Sequence, residues 1–135
     1  MKGPIRIATA ISQLGERKYS MGMTIQSRMT DGVTFLDVSG QITMGEGSVV
    51  LRDRVRDEIA SGKQRIIINL ADVSYIDSSG LGELTGAFTT AKNRGVILKL
   101  LNLTKRLHEL MQITKLYTVF DVYDDEEAAI KSFSL

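Results

Sequence analysis

The sequence predicts an α/β fold in which an N-terminal β-hairpin leads into a mixed, mostly parallel β-sheet flanked by about four helices. Three observations indicate this fold. The segments MTIQSRMT and VTFLDVSG flank Asp31-Gly32, a dipeptide that favours the type I′ turn of a two-residue hairpin. Strand and helix patterns then alternate to the end of the chain. Two strand segments are continuous apolar runs, which are typical of parallel strands covered on both faces.

The first helix is predicted in the segment GEGSVVLRDRVRDEIASG. Its apolar residues Leu51, Val55 and Ile59 recur at helical spacing on one face, and Ser61-Gly62 is typical of a helix end. The first four residues, GEGS, have two interpretations. They could form a backbone turn that binds an anion, or a helix start in which Ser48 is the N-cap. We expect the helix start.

The central part of the chain combines a buried strand with an unusual helix start. RIIINL at residues 65–70 predicts a strand buried on both faces, followed by a loop at ADVSYI. DSSGLG at residues 77–82 then opens a second helix. Because open parallel sheets place their working loops at the carboxyl ends of the strands, this position favours a functional role. The residues expected to share one core are Ile67, Leu70, Leu81, Leu84, Leu98 and Leu100.

Three further elements complete the predicted fold. VILKLLNL is a second buried strand, TKRLHELMQIT is a third helix, and YTVFDVY is the last strand. Asp124, followed three residues later by Glu127, predicts the start of the last helix through a variant of the capping box. The inward side chains expected on the third helix are Leu107, Leu110 and Met111.

The chain is interpreted as one domain preceded by an extension. Residues 1–22 are assigned to an N-terminal extension outside the core fold, and residues 23–135 to the domain. The extension lacks the apolar run of a secretory signal peptide. The alternative is a short amphipathic helix between Ile7 and Leu14. If the extension lies outside the fold, its removal is expected to leave thermal stability and partner binding nearly unchanged.

The composition excludes several functional classes. The chain has no cysteine, which excludes disulfides and thiolate chemistry, and one histidine, His108, which excludes a histidine-rich metal site. A net charge of +1 argues against a nucleic-acid binder, which usually carries a basic stripe. No apolar run approaches the roughly 20 residues of a membrane span. We therefore expect no cofactor and no nucleic-acid or membrane partner, and we interpret His108 as an ordinary surface residue.

The DSSGLG motif does not fit the common nucleotide-binding or catalytic patterns. Gly80, Gly82 and Gly86 are spaced G-x-G-x-x-x-G, one residue away from the dinucleotide fingerprint, and the Gly-Lys-Ser/Thr of a P-loop is missing. The G-x-S-x-G elbow of serine hydrolases is missing too, since Ile76 and Asp77 stand where its first glycine would be. The sequence therefore predicts that the chain is not an enzyme.

A helix cap alone does not explain the motif either. One Asp or Ser at the N-cap would stabilise a helix by roughly 0.5–2 kcal/mol, but the motif offers an aspartate and two serines. Gly80 and Gly82 then weaken the first turn by up to about 1 kcal/mol each relative to Ala. We interpret these small residues as a means of leaving the serine hydroxyls uncovered, so that the surface of another molecule can approach.

The segment LADVSYIDSSGLGEL at residues 70–84 resembles the signature of the STAS domain in bacterial anti-sigma factor antagonists. Residues 95–133 resemble the second half of the same family, and the whole resemblance extends over about residues 23–133. It implies a STAS-like fold. It also implies a cytoplasmic regulator of transcription that performs no chemistry of its own and is instead a substrate and a ligand of other proteins.

The resemblance also implies how such a regulator switches partners. The unphosphorylated form binds a serine kinase that also acts as an anti-sigma factor, and a sigma factor is released. Phosphorylation of Ser78 ends the binding, and a metal-dependent serine phosphatase restores it. The alternative function is a STAS accessory subunit of a transporter or signalling scaffold without a phosphorylation cycle. The partner-binding residues that the resemblance implies are Asp77, Ser79, Gly80, Leu81, Gly82 and Thr43.

Two departures from the family pattern concern the expected contacts. The family often has Gly-Glu-hydrophobic-Asp after its second strand, whereas this chain has Gly40-Gln41-Ile42-Thr43 and lacks both acidic side chains. The usual kinase contact is therefore not expected in every detail. The family also commonly ends its third helix with Ile-Thr-Gly-Leu, and here Lys115 replaces the glycine. This second change is expected to weaken a helix C-cap and little else.

Overall fold

The computed structural model describes residues 22–134, and it contains a five-stranded sheet with the strand order β1-β2-β3-β4-β5. The strands β1 and β2 are antiparallel, whereas each later strand runs parallel to its neighbour. The expected extension lies outside the described residues, apart from Gly22. The strands are β1 Met23–Thr30, β2 Val33–Ile42, β3 Arg65–Ile76, β4 Ile97–Leu101 and β5 Val122–Tyr123.

Helices connect the parallel strands and continue the chain beyond β5. Single turns of 3₁₀ helix follow α3 and α4, at Leu116–Thr118 and Ser132–Ser134. Within residues 22–134 no helix combines the length and the apolar character that a membrane crossing requires. The predicted fold class, a mixed sheet with a hairpin and four helices, is confirmed. The α-helices are α1 Glu46–Ala60, α2 Ser78–Asn93, α3 Lys105–Thr114 and α4 Glu126–Lys131.

The hairpin forms at the predicted dipeptide. Thr30 of β1 pairs with Val33 of β2, which leaves Asp31 and Gly32 as a two-residue turn. Both turn residues have positive φ angles, 54° and 79°, as a type I′ turn requires. The turn therefore fixes the register of the only antiparallel pair in the sheet that the structure describes.

The sheet separates two clusters of buried apolar side chains. The larger cluster lies between the sheet and helices α1 to α3, and it includes Ile66, Ile68 and Leu84. The smaller cluster includes Ile67, Leu101 and Ala129 and lies under α4. Ile67 is fully buried as expected, but it does not share a core with Leu84. Successive side chains of a strand point to opposite faces, so Ile67 must face away from Ile66 and Ile68.

The segment ADVSYI is strand, although a loop was predicted. It continues β3 to Ile76 in parallel pairing with β2, with two shifts of register along the way. Val73 and Ile76 enter the larger core, and the polar residues between them are exposed. Backbone pairing with β2 outweighs the low strand propensity of Asp72 and Ser74. The DSSGLG motif therefore begins directly where the central strand ends.

The C-terminal elements differ from the prediction in detail. The last strand contains only Val122 and Tyr123, since the predicted strand segment begins within the 3₁₀ turn Leu116–Thr118 and residues 119–121 are not paired as strand. The N-cap of α4 is Asp125, one residue after the predicted Asp124, and its Oδ2 accepts a hydrogen bond from the Ala128 N–H at 2.9 Å. On α3, Leu107 and Met111 are buried as predicted, whereas Leu110 is only half-buried. Lys115 follows α3 with a left-handed φ of 60°, which glycine would adopt more readily.

Arg28 connects the first strand to the last helix. Its Nε lies 2.6 Å from Asp37 Oδ2, its Nη2 lies 2.8 Å from Glu126 Oε1, and the guanidinium lies 4.2 Å from the ring centroid of Phe35. Burial tends to raise the pKa of Asp37, but hydrogen bonds from Arg28 and Asn69 outweigh burial and hold the pKa below its ordinary value. This polar cluster holds α4 against the sheet face opposite α1 to α3.

Leu84→Ala should lower the free energy of unfolding by about 2–5 kcal/mol, because Leu84 has no exposed side-chain surface and lies in the larger cluster. Urea denaturation monitored by circular dichroism measures the change. Thr89→Ala on the exposed side of the same helix is the control, and it should change stability by less than about 0.5 kcal/mol. A loss for Leu84→Ala as small as that of the control would contradict this packing.

Candidate functional site

The candidate site lies at the carboxyl edge of the sheet, where two connections meet. The loop at residues 43–45 leads from β2 to α1, and Asp77 links β3 to α2. The strands β2 and β3 are paired up to Ile42 and Ile76, so their last residues lie side by side. The two connections are therefore neighbours in space although more than thirty residues separate them in the chain.

The carboxylate of Asp77 binds both connections. It is the N-cap of α2, and its Oδ1 accepts hydrogen bonds from the N–H groups of Ser79 at 2.9 Å and Gly80 at 3.0 Å. Its Oδ2 accepts a hydrogen bond from the N–H of Met44 at 3.2 Å. The backbone N–H of Asp77 also donates to the carbonyl of Ile42 at 3.3 Å. One side chain therefore starts α2 and holds the β2–α1 loop against it.

These hydrogen bonds favour the charged form of Asp77. Burial tends to raise its pKa, but hydrogen bonds from the Ser79 hydroxyl and from the N–H groups of Gly80, Met44 and Ser79 outweigh burial. The pKa of Asp77 therefore lies below its ordinary value. Because the folded state binds this proton less readily than the unfolded chain, the resulting stabilisation is present at neutral pH and is lost as the pH falls.

The two adjacent serines are in different environments. The Ser79 hydroxyl is half-buried and donates to Asp77 Oδ1 at 2.5 Å, so it belongs to the helix cap. Ser78 is exposed, and its hydroxyl has no hydrogen-bond partner among residues 22–134. A hydroxyl group without an internal hydrogen bond can be modified without loss of a contact that supports the fold. Ser78 is therefore the more accessible of the two serines.

The glycines of the motif also have different roles. Gly80 is buried, and a Cβ atom there would lie 2.6 Å from Ile76 Cγ1 and 2.7 Å from the carbonyl oxygen of Ile42. Packing of α2 against the strand ends therefore requires Gly80, which is a different reason from the one expected. A Cβ atom at Gly82 would have no neighbour within 4 Å. Leu81 is buried in the larger core, so it supports the surface from beneath.

The β2–α1 loop begins α1 without a side-chain cap. Gly45 is the N-cap with a φ of 92°, a value that glycine adopts readily. The expected N-cap, Ser48, lies instead in the first turn, where its backbone N–H donates to the Thr43 carbonyl at 3.0 Å. Its hydroxyl donates to the Gly45 carbonyl at 3.3 Å, so it does not cap the helix. Thr43 is half-buried at the start of this loop.

Met44 is a residue of this surface that the sequence did not single out. Its side chain is 79% exposed, although its N–H is fixed by Asp77. The signal in the sequence was the isolated methionine between polar Thr43 and Gly45.

Other chemistry-bearing groups lie away from this surface. The ring of His108 forms a hydrogen bond with the Tyr117 hydroxyl, and neither residue contacts Ser78. Among the described residues, no three His, Asp or Glu side chains are grouped so that they could hold a metal ion. The site therefore consists of an exposed hydroxyl, a capped helix start and one apolar side chain.

Comparison with known proteins gives a consistent result. The family model described as STAS domain matches residues 24–129. The chain is 32% identical over 111 residues to the anti-sigma-B factor antagonist of Bacillus subtilis, and the match covers 82% of this chain and 100% of that protein.

Solved structures show the same fold. An anti-sigma factor antagonist from Mycobacterium paratuberculosis has a TM-score of 0.72 at 21% identity, covering 82% of this chain and 92% of that one. The Bacillus cell fate determinant SpoIIAA in its phosphorylated form has a TM-score of 0.65 at 23% identity, covering 82% and 99%.

Gly80→Ala and Gly82→Ala should change stability in opposite directions. At residue 80 the added methyl group meets the Ile42 carbonyl, so we expect a loss of about 1–3 kcal/mol. At residue 82 it enters open space and favours the helix, so we expect a gain of about 0.5–1 kcal/mol. Urea denaturation of both variants measures the difference, and equal effects at the two positions would contradict the packing of α2.

Asp77→Asn should destabilise the protein more at neutral pH than in acid. The wild type loses the stabilisation from the Asp77 carboxylate as the pH falls through the range of an ordinary aspartate, about 4 and below. The variant has no such group to protonate. Melting temperatures of both proteins between about pH 7 and pH 3 should therefore converge on the acid side. A difference that stays constant with pH would show that the charge of Asp77 contributes nothing.

Proposed function

The chain belongs to the STAS domain family, and on this premise we propose that it is an anti-sigma factor antagonist. In this proposal the unphosphorylated chain binds an anti-sigma factor that is also a serine kinase, and the binding releases a sigma factor. The proposal places the protein in the cytoplasm as a substrate and ligand rather than an enzyme. A metal-dependent serine phosphatase returns it to the unphosphorylated form.

The observation that carries the proposal is the difference between the two serines. A kinase needs a hydroxyl that it can approach, and Ser78 offers one at the exposed start of α2. Ser79 donates its hydroxyl to the Asp77 carboxylate and would have to break the cap to react. The names of the curated relatives support the partner class, since they are antagonists of anti-sigma factors.

The phosphorylation step requires no catalytic group from this chain. The kinase transfers the γ-phosphoryl group of ATP to Ser78 Oγ: the new O–P bond forms there, the bond from the γ-phosphorus to the leaving oxygen breaks, and ADP departs. The hydroxyl proton goes to a base of the kinase. The product carries about −1.5 to −2 additional charges at pH 7. The N–H groups of Ser79 and Gly80 are already bound by Asp77, so this new charge faces solvent.

A phosphate in this position opposes docking for two physical reasons. It must lose its water when a partner covers it, and it adds negative charge next to the Asp77 carboxylate and opposite the nucleotide of the kinase. A penalty of about 3 kcal/mol would weaken binding more than a hundredfold. The helix dipole of α2 partly offsets the charge in the free protein, so the fold itself is not expected to change.

Incubation with the kinase and ATP, followed by peptide mapping in a mass spectrometer, should place one phosphate on Ser78. Ser78→Ala should bind the kinase and not be released by ATP. Ser78→Asp should fold normally and bind poorly, although one carboxylate imitates a phosphate only in part.

Ser79→Ala is the matched control, because it changes the neighbouring serine and leaves the Ser78 hydroxyl in place. It should be destabilised by about 1 kcal/mol, through loss of the bond to Asp77, and still be phosphorylated. Phosphate on Ser79 would overturn the assignment. Stable binding with no phosphate on either serine would favour the role of an accessory subunit.

A further inference from the structure

We infer that the partner contacts both the start of α2 and the groove between α1 and α2, and that it places an acidic helix in this groove. This inference rests on the proposed function and adds a second contact area to it. The groove has a floor of Val55 and Ala87. Its sides are formed by Arg52, Arg56, Glu83 and Gly86.

The groove continues from the candidate site. Both α1 and α2 begin at the carboxyl edge of the sheet, one after β2 and one after β3, and they pack beside each other over the larger core. Glu83 lies one helical turn after Ser79, and Gly86 and Thr90 follow on the same helix. A partner that covers Ser78 can therefore extend its contact along α2 into the groove.

Two guanidinium groups and one carboxylate, that of Glu83, line the groove, so its net positive charge favours an acidic occupant. Arg52 and Arg56 are one turn apart on α1. Within residues 22–134, Arg56 has no carboxylate within ion-pair distance, and Arg52 has only its sequence neighbour Asp53, at 3.4 Å. By contrast, Arg54 on the other side of α1 is bound to Glu58 at 3.2 Å. The Arg56 guanidinium, which has no ion-pair partner among the described residues, is complementary to a carboxylate of a partner, and Arg52 can exchange its exposed neighbour for a second one.

The α2 side of the groove has no side chain at Gly86, and Gly82 lies one turn before it on the same helix. A Cβ atom at Gly82 or Gly86 would have no neighbour within 4 Å, and both residues are exposed. Packing within the chain requires glycine at residue 80 but not at residues 82 and 86. Each of these two glycines nevertheless weakens the helix by up to about 1 kcal/mol relative to Ala. Their absence of side chains allows another helix to approach α2 closely.

Met44 supplies an apolar contact at the end of this surface where α2 begins. Its exposed side chain stands beside the start of α2, since its N–H is bound to Asp77. Methionine adapts its shape to a partner at low cost. The inferred occupant is therefore an amphipathic helix of the anti-sigma factor, with an apolar side chain against Met44 and carboxylates opposite Arg52 and Arg56.

Binding of the purified anti-sigma factor kinase to variants of the full chain, measured by titration calorimetry, tests this inference. Arg56→Glu reverses one charge, and Gly86→Gln places a long side chain in the groove while favouring the helix. Each should weaken binding at least tenfold. The matched controls are Arg65→Glu, the same charge change at an exposed position at the other end of the sheet, and Thr89→Gln, an exposed position of α2 that does not line the groove.

The outcomes separate the two proposals. Loss of binding in the groove variants with near wild-type binding in both controls supports the inference. If Ser78→Asp weakens binding but Arg56→Glu and Gly86→Gln bind like their controls, the groove is not a contact area and the proposed function stands. If Arg56→Glu and Arg65→Glu weaken binding equally, the charges act only through long-range attraction of the partner, and the inference about the groove is wrong. If the wild type does not bind the kinase, the proposed function fails, and the groove inference with it.

Discussion

The site depends on the bonds of the Asp77 carboxylate more than on any other interaction. The chain ends β3 at Ile76 and must start α2 at once, so the first N–H groups of the helix need an acceptor in the turn itself. Asp77 supplies it and also binds the β2–α1 loop through the Met44 N–H. Because the carboxylate has two oxygens, it can serve both connections. The relative position of Ser78 and Met44 follows from these bonds.

A second constraint is how closely α2 approaches the strand ends. Gly80 allows the helix to touch the Ile42 carbonyl, and Gly47 allows the first turn of α1 to approach the Gln41 carbonyl in the same way, where a Cβ atom would lie at 2.7 Å. The first turns of both helices therefore lie close to the ends of the strands. Their exposed sides, with Gly82 and Gly86 on α2, are left open. Packing within the chain therefore requires glycine at residue 80 but not at residue 82, a difference that only the three-dimensional surroundings show.

Much of the fold could be predicted because the spacing of apolar residues along the chain shows which side chains are buried. The buried strands and the inward positions Leu84, Leu107 and Met111 follow from it, the hairpin turn follows from the dipeptide Asp31-Gly32, and all agree with the structure. The failures have physical causes. Pairing with β2 keeps ADVSYI extended against its local preference.

The position of the DSSGLG motif in the fold could be predicted from the sequence, but the environments of its two serines could not. Chain order places DSSGLG directly after the central strand, and the structure has the motif at the carboxyl edge of the sheet. The direction of the Asp77 carboxylate decides which serine hydroxyl is hydrogen-bonded and which is not. Two identical adjacent residues in the sequence do not show this direction. The same holds for Ser48, whose hydroxyl turns to a carbonyl in the first turn of α1 instead of capping it. Both outcomes depend on local backbone geometry rather than on residue type.

The geometry also limits how phosphorylation could act. A modification changes a conformation only when it interacts differently with two states of the protein. The Ser78 hydroxyl makes no hydrogen bond among the described residues, and the N–H groups of Ser79 and Gly80 are already bound by Asp77. A phosphate there would neither break an internal contact nor gain these donors. Its effect must therefore arise where a partner covers Ser78, so the proposed switch is a change in the chemistry of an interface and not a change of fold.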